Sequence, residues 1–305
     1  MRISSRSTPF ERIEYVLILS VLMLLVVVTL QPILNLVAIS FSSPANVPGM
    51  SGLEIIPQGF SLDVWKLLLT NEAVLRGFGN AMLITVVGTI INVVFTVLLA
   101  WALAQKRLPG RRWLFMFVLF TIVFEPGIIP DFLVMKKLGL LNSYWSVILY
   151  RAVFAWYLII LVRLFEEIPE ELLEAAELDG ANPFQTLWYV IMPVAKSSIA
   201  MITLFYMVLH WNEFFRAMVY LNDPDKWPLQ VVLRQFVVEG DKLAMVGVES
   251  MSNYTDASQI SIKALKAGMI TLTIAPLIAI YPIILRFFTK GTMSDRKSTR
   301  LNSSH

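Results

Sequence analysis

The feature that most constrains this chain is a series of six long apolar stretches joined by polar connections. They cover residues 15–37, 78–104, 113–135, 145–165, 194–221 and 267–288. A helix rises about 1.5 Å per residue, so a stretch of roughly 20 residues crosses the apolar core of a bilayer. Because 57% of the 305 residues are hydrophobic and 15% are charged, the chain lacks the polar surface of a water-soluble protein. The sequence therefore predicts an all-α polytopic membrane protein with six transmembrane helices.

The charges between the stretches predict the orientation. The first stretch is too long for a secretory signal and has no clean small-residue cleavage site, so we expect an uncleaved span. Six spans place both termini on one side, together with the basic segments 1–14 and 105–112. Cytoplasmic loops are enriched in Lys and Arg, so both termini are predicted to be cytoplasmic. Lys136 and Lys137 are an exception, since they fall on the opposite side.

The predicted organisation follows from these spans. After the N-terminal segment 1–14 and the first span come an extracellular loop at 42–77 and a core of five spans at 78–288. A second long loop, at 222–266, also lies outside, where both loops could contact a soluble partner. A cytoplasmic C-terminus follows at 289–294. Residues 295–305, including His305, are similar to a translated sequencing adapter and carry none of the functional predictions.

Several kinds of chemistry are excluded by composition. The chain has no cysteine and two histidines, which excludes disulfides, thiolate nucleophiles and cysteine-based metal sites and predicts that no metal is bound. The phosphate-binding pattern G-x-x-x-x-G-K-[ST] is absent from the sequence, so we expect no cofactor and no ATP in this chain, and no enzyme activity. A net charge of +3 is too small to indicate nucleic acid as a partner.

The connection between the fourth and fifth stretches, 166–193, carries a distinctive pattern. Pro169 suits a first helical turn, Gly180 suits a helix end, and Asn182 suits the cap of a second helix. The sequence therefore predicts a helix, a break and a helix on the cytoplasmic side. The acidic residues 166, 167, 170, 171 and 177 are interpreted as a solvated face.

The spacing of Glu174-Ala175-Ala176, Gly180, Val190, Met192 and Pro193 resembles the EAA loop of ABC importer permeases. Val190 and Met192 replace the isoleucine and leucine of that pattern, and both changes conserve volume roughly. The resemblance implies a type I ABC importer permease fold in which this loop docks a separate ATPase. The docking residues it implies are Glu174, Ala175, Ala176, Asp179, Gly180 and Pro193. The alternative is an acid-rich amphipathic surface helix with no partner.

The resemblance extends over most of the chain and narrows the family. Segments 41–44, 109–112, 138–145 and 220–223 are similar to carbohydrate permeases of the maltose-transporter class, nearest the branch for complex oligosaccharides. Membership would imply a bacterial cytoplasmic membrane location, contact with membrane lipids, and transport of a sugar or oligosaccharide by alternating access. It would also imply a second homologous permease, two ABC ATPase subunits that bind ATP and Mg, and a solute-binding protein.

Polar residues within the apolar stretches form a second set of candidates. Glu125 and Arg151 are expected at similar depth, and we predict an ion pair between them, since charges inside a membrane usually face a partner or a cavity. The candidate translocation-path residues are Glu125, Arg151, Trp156, His210, Trp211, Asn212 and Glu213. The alternative is that the aromatic residues anchor at the interface and the polar residues bond neighbouring helices.

Three other functions stay open at this point. One is an ABC permease for a solute other than sugar. Another is a secondary transporter or channel, for which Glu125-Pro126 could mark a broken helix, although paired half-sequences are lacking. The third is a membrane-embedded hydrolase, which would need a nucleophile and a base at workable spacing, whereas His210 stands alone within the spans.

Overall fold

A computed structural model gives the backbone of residues 9–239 and 261–301 and the side chains of 10, 13–237 and 261–282. Parts of three predicted segments lie outside these residues: the N-terminal segment 1–14, the outer loop at 222–266, and the tail at 295–305. The described residues contain no β-strand, and the single β-bridge joins Ser42 and Phe60. The all-helical prediction is therefore confirmed for the described part of the chain.

The α-helices of the described residues are numbered in chain order. They are α1 (Pro9–Ser40), α2 (Asp63–Thr70), α3 (Glu72–Ala104), α4 (Arg111–Val123), α5 (Ile128–Lys137), α6 (Tyr144–Leu149), α7 (Ala155–Glu166), α8 (Glu170–Leu178), α9 (Pro183–Thr186), α10 (Met192–Val194), α11 (Lys196–Trp211), α12 (Phe215–Tyr220), α13 (Leu229–Arg234) and α14 (Ile262–Leu301). Two π-helical segments, Leu187–Ile191 and Gln235–Glu239, and two 3₁₀ turns, Val47–Gly49 and Pro224–Lys226, complete the order.

Three helical segments of the described residues are long and apolar enough to cross a membrane. They are Ile13–Ser40, Glu72–Ala104 and Ile262–Pro282, which correspond to the first, second and sixth predicted spans. Two bent pairs of helices raise the number to five if each pair is one span. The prediction of several membrane-spanning helices is thus confirmed, whereas the count of six and the orientation stay predictions.

The third predicted span is not one straight helix. Helices α4 and α5 are bent by 116° relative to each other, at a break that contains Glu125, Pro126 and Gly127. Proline has no backbone N–H and disfavours helical backbone at the preceding residue. Gly127 has a φ of +87°, which glycine adopts at little cost. These neighbouring residues explain why the chain turns here.

The fourth predicted span, 145–165, is two short helices, α6 and α7, separated by five non-helical residues. Side chains from other helices satisfy the backbone of this break. The Tyr206 hydroxyl accepts from the Phe154 N–H at 3.0 Å, and the Asn92 amide donates to the Arg151 carbonyl at 2.9 Å. A break inside a membrane requires such partners. The expectation of one continuous helix here was wrong.

The fifth predicted span, 194–221, is also interrupted. Helix α11 ends at Trp211, and the short α12 begins after three intervening residues. At its other end, the helical segment Pro183–Val194 meets Lys196–Trp211 at 86°. The fifth span is therefore shorter than predicted and joined through a sharp bend to the loop before it.

The described residues form two compact units: those within Met1–Glu72 and Gln235–Ile274, and those within Ala73–Arg234 and Ala275–His305. In the first, Gly268 of α14 lies close to Val64 and Leu68 of α2. In the second, fully buried apolar residues join α3, α7, the first π segment and α11 into one core. Its centre includes Ala100, Leu161, Val162, Ile191, Ile202 and Tyr206. This core supports both the loop 166–193 and the cavity described below.

Candidate functional site

The helix–break–helix prediction for 166–193 is confirmed. Helix α8 ends with the Ala181 N–H donating to the Ala176 carbonyl at 2.9 Å and the Gly180 N–H donating to the Glu177 carbonyl at 3.0 Å. Gly180 has a φ of +79°, the left-handed conformation that ends many helices and that favours glycine. The pattern of the sequence therefore reflects a specific backbone turn.

A capping box opens the next helix. The Asn182 side-chain oxygen accepts from the N–H groups of Phe184 and Gln185 at 3.1 and 2.9 Å, while the Gln185 side chain accepts from the Asn182 N–H at 2.9 Å. These bonds satisfy backbone donors that the first helical turn leaves free. Helix α9 then runs into the π segment Leu187–Ile191 and on to Pro193 in α10. The break thus has a defined geometry on both sides.

The predicted docking residues divide between an inner and an outer face of α8. Ala176 is buried within the chain, whereas Glu174 and Ala175 are exposed. Asp179 and Gly180 are exposed at the end of the same helix, and Pro193 is exposed in α10. The exposed members are therefore available to another protein.

Large apolar side chains lie exposed beside this motif, which the sequence analysis did not identify. Leu178 is 89% and Tyr189 74% exposed, and Phe184 and Trp188 are also exposed. Phe184 and Trp188 are four residues apart on one continuous helical segment, a spacing that places both side chains on the same face. Exposed apolar groups of this size mark contacts with membranes or other proteins.

Ion pairs tie α8 to the basic turn 105–110, which connects α3 to α4. The Lys106 ammonium lies 2.9 Å from Glu170, and the Arg107 guanidinium lies 3.5 Å from Glu177. The hydrogen bond and charge of Lys106 hold the pKa of Glu170 below its ordinary value. The acidic residues were interpreted as a solvated face, and these two are exposed, but each also has a basic partner. The opposite charges of the two segments, both predicted on one side, were the signal that could have revealed the pairing.

Arg111 makes the most buried of these contacts. Its guanidinium pairs with Glu166, and both side chains are largely buried. It also donates from Nε to the Leu103 carbonyl at 2.7 Å and lies 5.2 Å from the Phe115 ring centroid. Arg111 therefore connects the end of α3, the start of α4 and the end of α7, directly before the helix that carries Glu174.

A cavity of about 750 Å³ lies at the bend between α4 and α5 and the break between α6 and α7. Four ionisable groups of opposite charge line it, together with several aromatic rings. The charged groups are Glu125, Asp131, Arg151 and Arg216, and the aromatic groups are Phe117, Phe120, Phe124, Tyr150, Phe154, Trp156 and Phe215. Such a mixture can hold an amphipathic polar solute through stacking and hydrogen bonds.

The predicted ion pair between Glu125 and Arg151 is confirmed. Arg151 Nη2 donates to Glu125 Oε1 at 3.0 Å, and the Arg151 guanidinium also lies 5.1 Å from the Phe154 ring centroid. Trp156 lines the same cavity. Three of the seven predicted path residues are thus brought together.

The other four predicted path residues lie elsewhere. The His210 ring is buried against Gly88, and the Trp211 ring is buried edge-on to Phe78 at 6.0 Å. The Asn212 amide donates to the Val208 carbonyl at 2.8 Å. Glu213, by contrast, pairs with the cavity residue Arg216 at 3.0 Å. Arg216, Asp131, Tyr150 and Phe154 were not predicted as cavity residues, because their position depends on how the broken helices fold together.

No group of three or more His, Asp or Glu side chains with metal-binding geometry occurs among the residues that the structure describes. The charged groups of the cavity are two acids and two bases. This composition favours recognition of a polar organic solute over a divalent cation, which prefers several oxygen ligands.

Comparison with known families gives one extended match. Residues 81–294 match the model of the family described as binding-protein-dependent transport system inner membrane component. The match includes α3 from Ala81 onward, the loop 166–193 and every residue that lines the cavity.

Individual relatives match over nearly their whole length. Protein LplC of Bacillus subtilis (strain 168) is 38% identical over 87% of this chain and 88% of its own. The polygalacturonan/rhamnogalacturonan transport system permease protein YtcP of the same organism is 35% identical over 93% of this chain and 97% of its own. A chain of a bacterial ABC transporter involved in import of the acidic polysaccharide alginate superposes with a TM-score of 0.86 at 31% identity, covering 93% of this chain and 100% of that chain.

Proposed function

The chain belongs to the binding-protein-dependent transport system inner membrane component family, and from this premise we propose that it is the permease of a bacterial ATP-driven importer for a sugar or oligosaccharide. Two of its relatives carry names or descriptions that specify polygalacturonan/rhamnogalacturonan transport and alginate import. The cavity supports the same class of solute, because aromatic rings stack on sugar faces while charged and amide groups bind hydroxyls.

The proposed topology has six membrane crossings, with both termini in the cytoplasm of a bacterial cell and lipids around the exposed apolar faces. The third, fourth and fifth crossings are broken helices, which supports a path through the protein, since irregular backbone at membrane depth lines cavities. In this topology the loop 166–193 and the basic turn 105–110 are both cytoplasmic, and the loop 42–77 is outside.

The observation that carries the proposal is the exposed, rigidly capped α8. The turn at Gly180 ends α8, and the Asn182 capping box fixes the start of the next helix. Glu174, Ala175 and the apolar side chain of Leu178 are nevertheless exposed. A surface that combines exposed acidic side chains with an exposed apolar one suits a partner protein that offers basic and apolar groups. We propose that this partner is one of two ABC ATPase subunits, which bind ATP and Mg.

The proposed mechanism is alternating access. Closure of the ATPases on ATP displaces α8, and the displacement reaches α7 and α11 through the covalent connections. It also reaches α3 and α4 through Arg111, which bonds to the end of α3 and to Glu166. The cavity between the broken helices then opens outward to receive the solute from a solute-binding protein. A second homologous permease forms the other side of the path.

Association with the ATPase tests this proposal. Glu174→Arg and Gly180→Val are compared with Glu171→Arg, an exposed control on the same helix. Glu174→Arg and Gly180→Val should each lower the amount of ATPase that co-purifies in detergent by roughly tenfold or more. The first removes a charged hydrogen bond, and the second removes the turn that ends α8. Unchanged association and solute uptake in both test variants would contradict the docking role.

A further inference from the structure

We propose that Arg151 is the binding group for the carboxylate of an acidic sugar residue, and that Glu125 occupies this group as an internal counter-ion while the cavity is empty. The inference rests on the proposed permease function and narrows its substrate to a uronic-acid oligosaccharide. It follows from the different states of two arginines that line the same cavity.

The two terminal nitrogens of Arg216 are engaged by the protein, while its buried Nε has no hydrogen-bond partner among the described residues. Its guanidinium donates to Glu213 at 3.0 Å and to the Tyr150 hydroxyl at 2.8 Å, and it lies 3.8 Å from the Tyr150 ring centroid. The Arg216 and Glu213 side chains are both largely buried. This arrangement holds α12 in place and leaves little of Arg216 for a ligand.

Arg151 is engaged differently. Within the described part of the chain, its guanidinium makes a single hydrogen bond, from Nη2 to Glu125. An arginine carries five N–H donors in a planar fork that matches both oxygens of a carboxylate. Arg151 lines the cavity, so a substrate carboxylate that replaces Glu125 can bind here with two parallel hydrogen bonds where Glu125 makes one.

Glu125 is the exchangeable partner. Its side chain is 68% exposed, compared with 27% for Arg151. Glu125 also lies in the non-helical break between α4 and α5, and among the described residues its carboxylate accepts from Arg151 alone. Leaving the ion pair therefore costs Glu125 one hydrogen bond, while the substrate carboxylate replaces Glu125 as the acceptor for Arg151.

The surroundings suit a sugar acid. The rings of Phe154 and Tyr150 lie 5.1 and 5.4 Å from the Arg151 guanidinium carbon, which fixes the plane of the fork. The exposed Trp156 ring provides a face for the apolar side of a pyranose. The lining also contains Asp131, and Arg216 is already paired with Glu213, so of the two lining arginines it is Arg151 that can take up a carboxylate when Glu125 leaves it.

The experiment uses the complete importer in proteoliposomes: this chain, its second permease, the ATPases and a saturating amount of loaded binding protein. The probes are trigalacturonate and the neutral maltotriose. Arg151→Gln and Arg151→Lys are compared with Glu125→Gln, with the charge swap Glu125→Arg/Arg151→Glu, and with Arg112→Gln as an exposed control. Uptake and co-purified ATPase are both measured.

We expect Arg151→Gln to lower trigalacturonate uptake roughly tenfold or more, Arg151→Lys to lower it less, and Glu125→Gln to keep or raise it. The charge swap should assemble with the ATPase yet fail to import trigalacturonate. The inference is overturned if Arg151→Gln and Glu125→Gln lower trigalacturonate uptake equally and the charge swap restores it. That result would show that the ion pair is structural. If Arg151→Gln does not assemble, unchanged uptake by Arg151→Lys overturns the inference.

Failure of the proposed function gives a different result. Uptake of maltotriose but not trigalacturonate by the unmodified importer would overturn the inference and leave the permease function intact. Absence of ATPase from the purified complex, together with no uptake of either probe, would contradict the permease function itself.

Discussion

Arg111, the first residue of α4, forms an ion pair with Glu166, the last residue of α7, while its Nε donates to the Leu103 carbonyl of α3 at 2.7 Å. The guanidinium is 28% and the Glu166 side chain 18% exposed. Contacts this well buried contribute more than exposed ion pairs, which are typically worth about 0–1 kcal/mol. This residue therefore holds three helix ends together.

Arg111→Ala should lower the stability of the permease by roughly 1–3 kcal/mol, because the Leu103 carbonyl loses a donor and Glu166, which keeps Arg163, loses its more buried partner. Thermal unfolding in detergent, followed by tryptophan fluorescence, measures the change. Arg112→Ala is the matched control, since the adjacent Arg112 side chain is exposed. If the two variants melt at the same temperature, Arg111 does not have the role described.

Gly88 of α3 provides a test of helix packing. A Cβ at this position would lie 2.6 Å from two atoms of the His210 ring on α11, so Gly88→Ala should destabilise the protein by about 1–3 kcal/mol. At the exposed Gly79 of the same helix nothing lies within 4 Å of the added Cβ, and Gly79→Ala should stabilise by roughly 0.5–1 kcal/mol. Melting temperatures that shift in the same direction would contradict the packing described.

Asn182 tests the start of the second helix in the docking loop. Asn182→Ala removes an acceptor for two backbone N–H groups and should cost about 1 kcal/mol. Asn182→Asp keeps the acceptor and should retain the stability. Hydrogen exchange of the Phe184 and Gln185 amides measures the effect directly, and equal protection in both variants would argue against the cap.

Glu54 predicts a pH dependence in the loop between α1 and α2. Its carboxylate accepts from the Ser51 and Gly52 N–H groups at 2.8 and 2.9 Å, and these bonds, that of Ser51 foremost, lower its pKa from 4.5 to about 2. Because the pKa of Glu54 is lower in the folded than in the unfolded chain, its carboxylate fully stabilises the turn at residues 51–54 above about pH 4.5. This stabilisation is lost as the pH falls from 4.5 through about 2.

The measurement is hydrogen exchange of residues 51–54, corrected for intrinsic rates. Glu54→Gln should exchange faster than the unmodified chain at pH 7, and the difference should disappear near pH 2. A control, Glu171→Gln on α8, should leave this segment unchanged. A difference that persists unchanged to pH 2 would contradict the assignment.

Part of this structure could be predicted from local sequence alone. The turn at Gly180, the cap at Asn182 and the break near Pro126 each depend on residues adjacent in the chain, and each was found where the pattern indicated or allowed it. The break at 150–154 contains no proline or glycine. Its backbone is satisfied by Asn92 and Tyr206, which lie 59 and 52 residues away from their partners, so no local signal marks it.

The pairing of side chains could likewise be predicted from the sequence only in part. Matching depth within neighbouring spans was enough to predict the pair of Glu125 and Arg151. Depth could not distinguish Arg151, whose guanidinium donates to Glu125, from Arg216, whose guanidinium donates to both Glu213 and Tyr150. Those partners are set by how the broken helices pack together. Nor could it show that His210 and Trp211 are buried between helices and away from the cavity lining.

The central claim, that α8 docks an ATPase, is tested most directly by cross-linking in membranes. The chain contains no cysteine, so Ala175→Cys introduces a unique thiol at an exposed position of α8 for a maleimide reagent with a photoreactive arm. Leu53→Cys, in the exposed loop predicted on the opposite side, is the control. The account predicts an ATPase adduct from position 175 and none from position 53. An intact complex that gives no ATPase adduct from position 175, or an equal one from position 53, would contradict it.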